Sequence, residues 1–155
     1  VLSTKFNAFL AVMYEGNEFS GYKQRENVDL GAKYKIHDAK DFNSFIELGL
    51  RYTTERRVAR DADGEDVFND NKGRLYYELN RKVRAGLSYK FWTEYINNFT
   101  RSDNYLINFE PSLAYTLTDT FSLKMAYLGK YDNELGLSGS KYLDWTNTIS
   151  LLAKF

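Results

Sequence analysis

Apolar and polar residues alternate with a period of two in eight separate runs, and this constrains the fold more than any other feature of the chain. Successive side chains of a strand point to opposite faces, so each run reads as a strand with one apolar and one polar face. The runs cover about residues 2–15, 22–36, 42–55, 73–79, 83–95, 104–116, 120–131 and 142–155. In the second, Val28, Leu30, Ala32, Tyr34 and Ile36 oppose Asn27, Asp29, Gly31, Lys33 and Lys35. In the fifth, Val83, Ala85, Leu87, Tyr89 and Phe91 oppose Arg84, Gly86, Ser88, Lys90 and Glu94. Pro111 sits inside the sixth, where it removes a ladder donor and predicts a bulge or a weakened pairing.

The connections alternate in length. Tight turns are expected at residues 37–41, 80–82 and 117–120, with longer connections at about 57–72, 96–103 and 132–141 and an intermediate one at 16–21. All the tight turns then fall at the end that carries both termini. Short turns at one end and long loops at the other are the pattern of outer-membrane barrels, whose termini lie in the periplasm. The expected fold is therefore all-β: an eight-stranded antiparallel transmembrane up-and-down β-barrel forming one domain over residues 1–155. An export signal is expected to precede Val1.

Hydropathy alone points elsewhere. Mean hydropathy is −0.54 and no stretch approaches a membrane-spanning helix, yet aromatic residues make up 17% of the chain. Strands that alternate lipid-facing and lumen-facing residues average out to polar, which reconciles the two. The aromatics fall at two levels: Tyr14, Tyr22, Tyr52, Phe91, Tyr105, Tyr131 and Trp145 towards the loop end, and Phe6, Tyr34, Phe42, Tyr115, Phe121 and Phe155 towards the turn end. Such rings suit the membrane–water interface. A soluble barrel would turn the aromatic face inward, but an eight-stranded barrel has barely room for that. The polar face instead carries small residues (Gly31, Gly49, Gly86, Ser88, Ser112, Ser122) among its charges, as a crowded interior requires.

The polar face then forms a charged lumen of Lys5, Glu15, Asp29, Lys33, Glu47, Arg51, Glu78, Arg84, Lys90, Glu110 and Lys124. Buried charges need partners, and the mixed signs supply them. A largely plugged lumen is expected, with a narrow pore for small ions or solutes as the alternative. Arg56, Arg57 and Arg60 at the outer rim suit lipopolysaccharide phosphates, or equally the acidic run of Asp61, Asp63, Glu65 and Asp66 beside them. In that run glycine stands fourth rather than sixth, unlike a calcium-binding EF-hand loop.

The end of the chain, Ile149-Ser150-Leu151-Leu152-Ala153-Lys154-Phe155, resembles the C-terminal signal of outer-membrane barrels, which the barrel-assembly machinery reads. Tyr131-Asp132-Asn133-Glu134 and the stretch from Leu143 to Thr148 resemble the salt-induced outer-membrane protein family over about the last quarter of the chain. The architecture is similar to the OmpA transmembrane domain and OmpX at the level of fold, and a shared fold does not convey function. These resemblances imply the bacterial outer membrane as location, with outer-membrane lipid, lipopolysaccharide and, during biogenesis, the assembly machinery as partners.

Other chemistry has little to work with. Lys+Arg and Asp+Glu are both 21, so no basic surplus points to nucleic acid. There is no cysteine, and the one histidine, His37, is expected in a solvated turn with Asp38 and Asp41. No metal or other cofactor and no catalytic constellation is expected, and the chain reads as a monomer without enzymatic activity.

Overall fold

The computed structural model describes residues 4–18, 21–60, 64–101, 104–133 and 142–153. They form one antiparallel sheet with strands in chain order: β1 (Phe6–Asn17), β2 (Tyr22–Ala39), β3 (Phe42–Arg57), β4 (Val67–Arg84), β5 (Leu87–Asn98), β6 (Tyr105–Thr116), β7 (Phe121–Asp132) and β8 (Leu143–Ala153). The alternation follows the expected phase. Val28, Leu30, Tyr34, Leu48, Leu50 and Tyr52 share one face, while Asp29, Glu47 and Arg51 share the other. The polar face is concave, because a side chain of β3, Arg51, reaches Glu94 of β5 across the intervening strand at 3.9 Å.

Burial is inverted relative to an ordinary core. The buried side chains described are eight polar or charged ones (Asn27, Asp29, Ser44, Thr53, Glu55, Asp70, Asn98, Ser112) and two apolar ones, Tyr22 and Ile96. Meanwhile Leu10, Leu48 and Ile149 are 70%, 67% and 71% exposed. The buried set gathers at the loop end of β2–β5, where Asn27, Thr53 and Asp70 lie in one row across three strands.

Several expected boundaries shift. The fourth strand is not a short run over 73–79 but extends over Val67–Arg84, and the turn after it lies at Ala85–Gly86 rather than at 80–82. A two-residue hairpin connection favours a residue with positive φ; Gly86 has φ 76°, whereas Asn80-Arg81-Lys82 contains no glycine. Val83 and Arg84 thus end β4, Gly86 is a turn residue rather than a member of the polar face, and Phe91 lies nearer the turn end than the outer rim. The first tight turn contracts to residues 40–41, which places His37 in β2. At Pro111 there is no bulge: the pairing with β7 passes from Phe109↔Gly129 to Ser112↔Ala126 in unchanged register, leaving Glu110 and Pro111 out of the ladder.

The sheet does not close into the expected barrel. Among the described residues β1 pairs with β2 and β8 with β7, and no pairing joins β8 to β1. The ion pairs that draw the concave face together tie β1 through β5, with one more between β6 and β7, and among the described residues none links β8 to β1. Among the described residues the polar side of β8 offers Thr146, Thr148 and Ser150 with the single acid Asp144.

Glycines mark where the two faces need space. A Cβ on Gly31 would lie 2.6 Å from both the Leu48 carbonyl oxygen and the Phe9 ring, whereas at Gly86 the nearest atom would be 3.6 Å away. Gly31→Ala is therefore expected to cost about 1–3 kcal/mol through overpacking. Gly86→Ala should cost about 1 kcal/mol through backbone strain alone. Urea unfolding midpoints that reverse this order would contradict the packing described.

Candidate functional site

The concave face is the one place where chemistry-bearing side chains converge, and strand pairing puts them there. Asp29 and Arg51 are register partners on β2 and β3, and their side chains meet in a bidentate pair, Nε to Oδ1 at 2.6 Å and Nη2 to Oδ2 at 2.7 Å. Two levels nearer the turns, past Gly31 and Gly49, Lys33 lies 3.6 Å from Glu47, also its register partner. Arg74 of β4 stands at the centre, with Nη1 donating to Glu47 at 2.9 Å and Nε to Glu94 at 2.5 Å. The second Glu94 oxygen accepts from Asn108 Nδ2 at 3.1 Å, which carries the network onto β6.

Two further groups flank this centre. At the loop end Arg25 joins Glu55 at 2.6 Å and Glu15 at 3.4 Å, and Arg57 donates to the other Glu55 oxygen at 2.9 Å. Beside them Asp70 accepts from Arg101 at 2.7 Å, with Lys72 at 3.6 Å. At the turn end Glu78 accepts from Tyr76 at 2.6 Å and from Asn80 at 2.8 Å, with Lys90 at 3.1 Å. Aromatic rings fill the space between charges: Phe45, Tyr76 and Trp92 follow one another at 5.9 and 6.0 Å, Lys33 Nζ lies 3.2 Å above Phe45, and Arg74 lies 4.8 Å above Tyr76.

Most of the charged residues expected in the lumen thus meet in pairs: Glu15 with Arg25, Asp29 with Arg51, Lys33 with Glu47, Glu78 with Lys90, and Glu110 with Lys124 at 3.8 Å. Lys5 precedes β1 and is exposed, its carbonyl accepting from the Lys35 amide. Arg84 is exposed at the end of β4 because the turn lies later than expected. Sequence reasoning missed Arg74, although its place opposite Leu75 puts it on the polar face. It also missed Asp70, Lys72 and Arg101, which had been assigned to loops that the strands in fact enter or border.

Of the rim arginines, Arg57 is turned to the polar face, bound to Glu55 and stacked 4.3 Å from Phe68. Arg56 and Arg60 are exposed. Residues 61–63, with Asp61 and Asp63 of the acidic run, lie outside the described residues. On the apolar face Tyr14, Tyr52 and Trp145 are exposed, Tyr105 and Tyr131 stack at 5.9 Å, and Trp145 stacks on Tyr127 at 4.5 Å and meets Phe109 edge-on at 5.4 Å. Phe155 lies outside the described residues. Tyr22 departs from the expected ring, being buried with Arg25 3.7 Å from its centre.

His37 Nδ1 lies 2.9 Å from Ser44 Oγ, the one serine–histidine contact on the described sheet. Ser44 is 1% exposed, so its hydroxyl is covered, while His37 is exposed and its ring packs against Phe42 at 4.6 Å.

The network has a measurable consequence. Arg74→Ala takes from Glu47 and Glu94 their shortest ion pairs and leaves them with Lys33 at 3.6 Å and Arg51 at 3.9 Å, which is expected to cost about 1–3 kcal/mol. Replacing both acids with glutamine in the same protein relieves their mutual repulsion and should recover part of that loss in urea unfolding. An unchanged midpoint in Arg74→Ala would mean that the network contributes no stability.

No curated protein matches the chain. The family model described as "Protein of unknown function, DUF481" matches residues 1–155. The chain, with its eight-stranded sheet and ion-paired polar face, belongs to that family.

Proposed function

We propose that this protein is an integral component of the bacterial outer membrane, with its apolar face towards lipid, an ion-paired polar face, and a structural or surface-interaction role. The observation that carries this is the inverted burial: leucines, isoleucines and tyrosines project outward from every region of the sheet while charges and amides are buried. Monomeric soluble proteins rarely expose contiguous apolar patches beyond a few hundred Å², whereas a lipid-facing sheet has this distribution as its ordinary state. The start of β1, the end of β8 and the tight turns share one end of the sheet, and on this reading that end faces the periplasm and the longer connections face outside. Lipid and lipopolysaccharide are then the standing partners, with the barrel-assembly machinery acting during biogenesis.

The polar face has the character of a staple rather than a path. Its charges are satisfied by one another, and a cation or anion crossing it would have to displace pairs such as Asp29–Arg51 that are made through two hydrogen bonds.

Membrane insertion places a demand on β1 and β8, because lipid offers no partner for backbone N–H and C=O groups. The outward amides of β1 and β8 are therefore expected to exchange rapidly in urea-unfolded protein and to become protected in vesicles, whichever strand satisfies them. Continued rapid exchange in vesicles would contradict residence in the hydrocarbon.

The two tryptophans give a direct test, since Trp145 lies on the apolar face and Trp92 on the polar one. In vesicles containing brominated acyl chains, the Trp92→Phe protein is expected to lose most of its fluorescence and the Trp145→Phe protein little of its own. Equal quenching of the two, or recovery of a monodisperse soluble monomer without detergent, would overturn the proposal.

A further inference from the structure

A depression lies on the apolar face across β2, β3 and β4. Leu30 of β2, Leu50 of β3 and Gly73 of β4 form one row of register partners, and Ala32 and Leu48 form part of the next. The two small residues, Ala32 and Gly73, open a groove between the leucines, and its volume is about 410 Å³. Phe99 makes the upper wall: its amide donates to the Asn71 carbonyl, and its ring lies 2.5 Å from where a Cβ on Gly73 would be.

Polarity along β3 changes in a fixed order from this groove towards the loop end. Leu48 and Leu50 are followed on the same face by Tyr52 and Thr54, both of which donate to Asn69, at 3.1 and 3.0 Å, and then by Arg56. Arg56 is exposed and makes no ion pair among the described residues, unlike its neighbour Arg57, and Arg60 is exposed just beyond it. Two acids flank Arg56 on this side among the described residues: Glu26, beside Thr54 in the register, which accepts a hydrogen bond from Gln24 at 2.7 Å, and Glu65, two residues before Val67, the register partner of Arg56. From Leu50 to Arg56 the strand rises about 20 Å. At a tilt of about 45° this is about 14 Å of depth, close to one leaflet of a hydrocarbon core roughly 30 Å thick.

We infer that this groove is a binding site for a single phosphate-bearing membrane lipid, with an acyl chain between Leu30, Leu48, Leu50 and Phe99 and the phosphate at Arg56. The inference rests on the membrane location proposed above. Hydrocarbon, hydroxyl and amide, then cation is the order of an anionic lipid read from chain to headgroup, and an unpaired guanidinium is suited to phosphate. A zwitterionic lipid fits the groove equally well but gains less at Arg56, because its own cation offsets the phosphate.

The test uses a Phe99→Trp reporter in a protein whose own tryptophans are replaced by phenylalanine, with the Trp92→Phe protein, in which Trp145 is the one tryptophan, as the reference. Both are reconstituted in vesicles in which either phosphatidylglycerol or phosphatidylcholine carries the brominated chains at the same mole fraction. Brominated phosphatidylglycerol is expected to occupy the groove with about fivefold preference, the value of one cation near a charged lipid surface, and to show no such preference at Trp145. Arg56→Gln should abolish the preference and leave quenching by phosphatidylcholine unchanged. Equal quenching of the groove reporter by the two lipids would overturn the site, as would a preference that survives Arg56→Gln and Arg60→Gln together. If lipid quenches neither the reporter nor Trp145, the membrane location itself fails, which separates that failure from failure of the site.

Discussion

Satisfying buried charge is the constraint on which this structure turns. The concave face presents guanidinium, ammonium and carboxylate groups too close together to remain independently hydrated, and each has to find an opposite charge or a hydrogen bond. Arg74 meets this demand at the centre by joining Glu47 and Glu94, and so couples β3, β4 and β5. Arg25 does the same for β1, β2 and β3 at the loop end. The strands are held in register by backbone pairing, but the curvature of the sheet follows these cross-strand pairs.

The same constraint accounts for where the sheet is most and least buried. Under β2–β5 the polar side chains are dense enough to exclude solvent, and Thr53, Asn98 and Asp70 are among the most deeply buried of the described groups. Towards β8 the polar face thins to hydroxyls and the acid Asp144, and the described part of the strand is largely exposed on both faces.

Small residues mediate between the faces. On the polar side Gly31 and Gly49 are register partners, and Phe9 of β1 lies over them, filling with a ring the space that two absent side chains leave. On the apolar side Gly129 receives Phe109 and Trp145 in the same way, and Gly73 receives Phe99. An aromatic ring folded over a glycine restores the packing that the glycine gives up, and it fixes the ring's orientation. The positions of Trp145 and Phe99, which define the character of the outer surface, depend on those glycines.

The sequence alone determined the strands and their faces, because a period of two is a local property that survives any tertiary arrangement. It therefore carried the eight strands, the antiparallel order, the separation of long and short connections, and nearly all of the residues on the polar face. It failed where local pattern and hairpin geometry disagree: the turn after β4 follows the positive φ of Gly86, not the polar run at Asn80-Arg81-Lys82, and so moves Arg84 and Phe91 with it. It failed also at Asp70, Lys72 and Arg101, whose polar surroundings resemble a loop until the neighbouring strands are seen to bury them. Only the tertiary structure decided which charges pair, since a carboxylate at one strand position has several cations within reach and the choice depends on curvature. Only the tertiary structure decided whether the edges meet, because closure is a property of the whole sheet and no single strand encodes it.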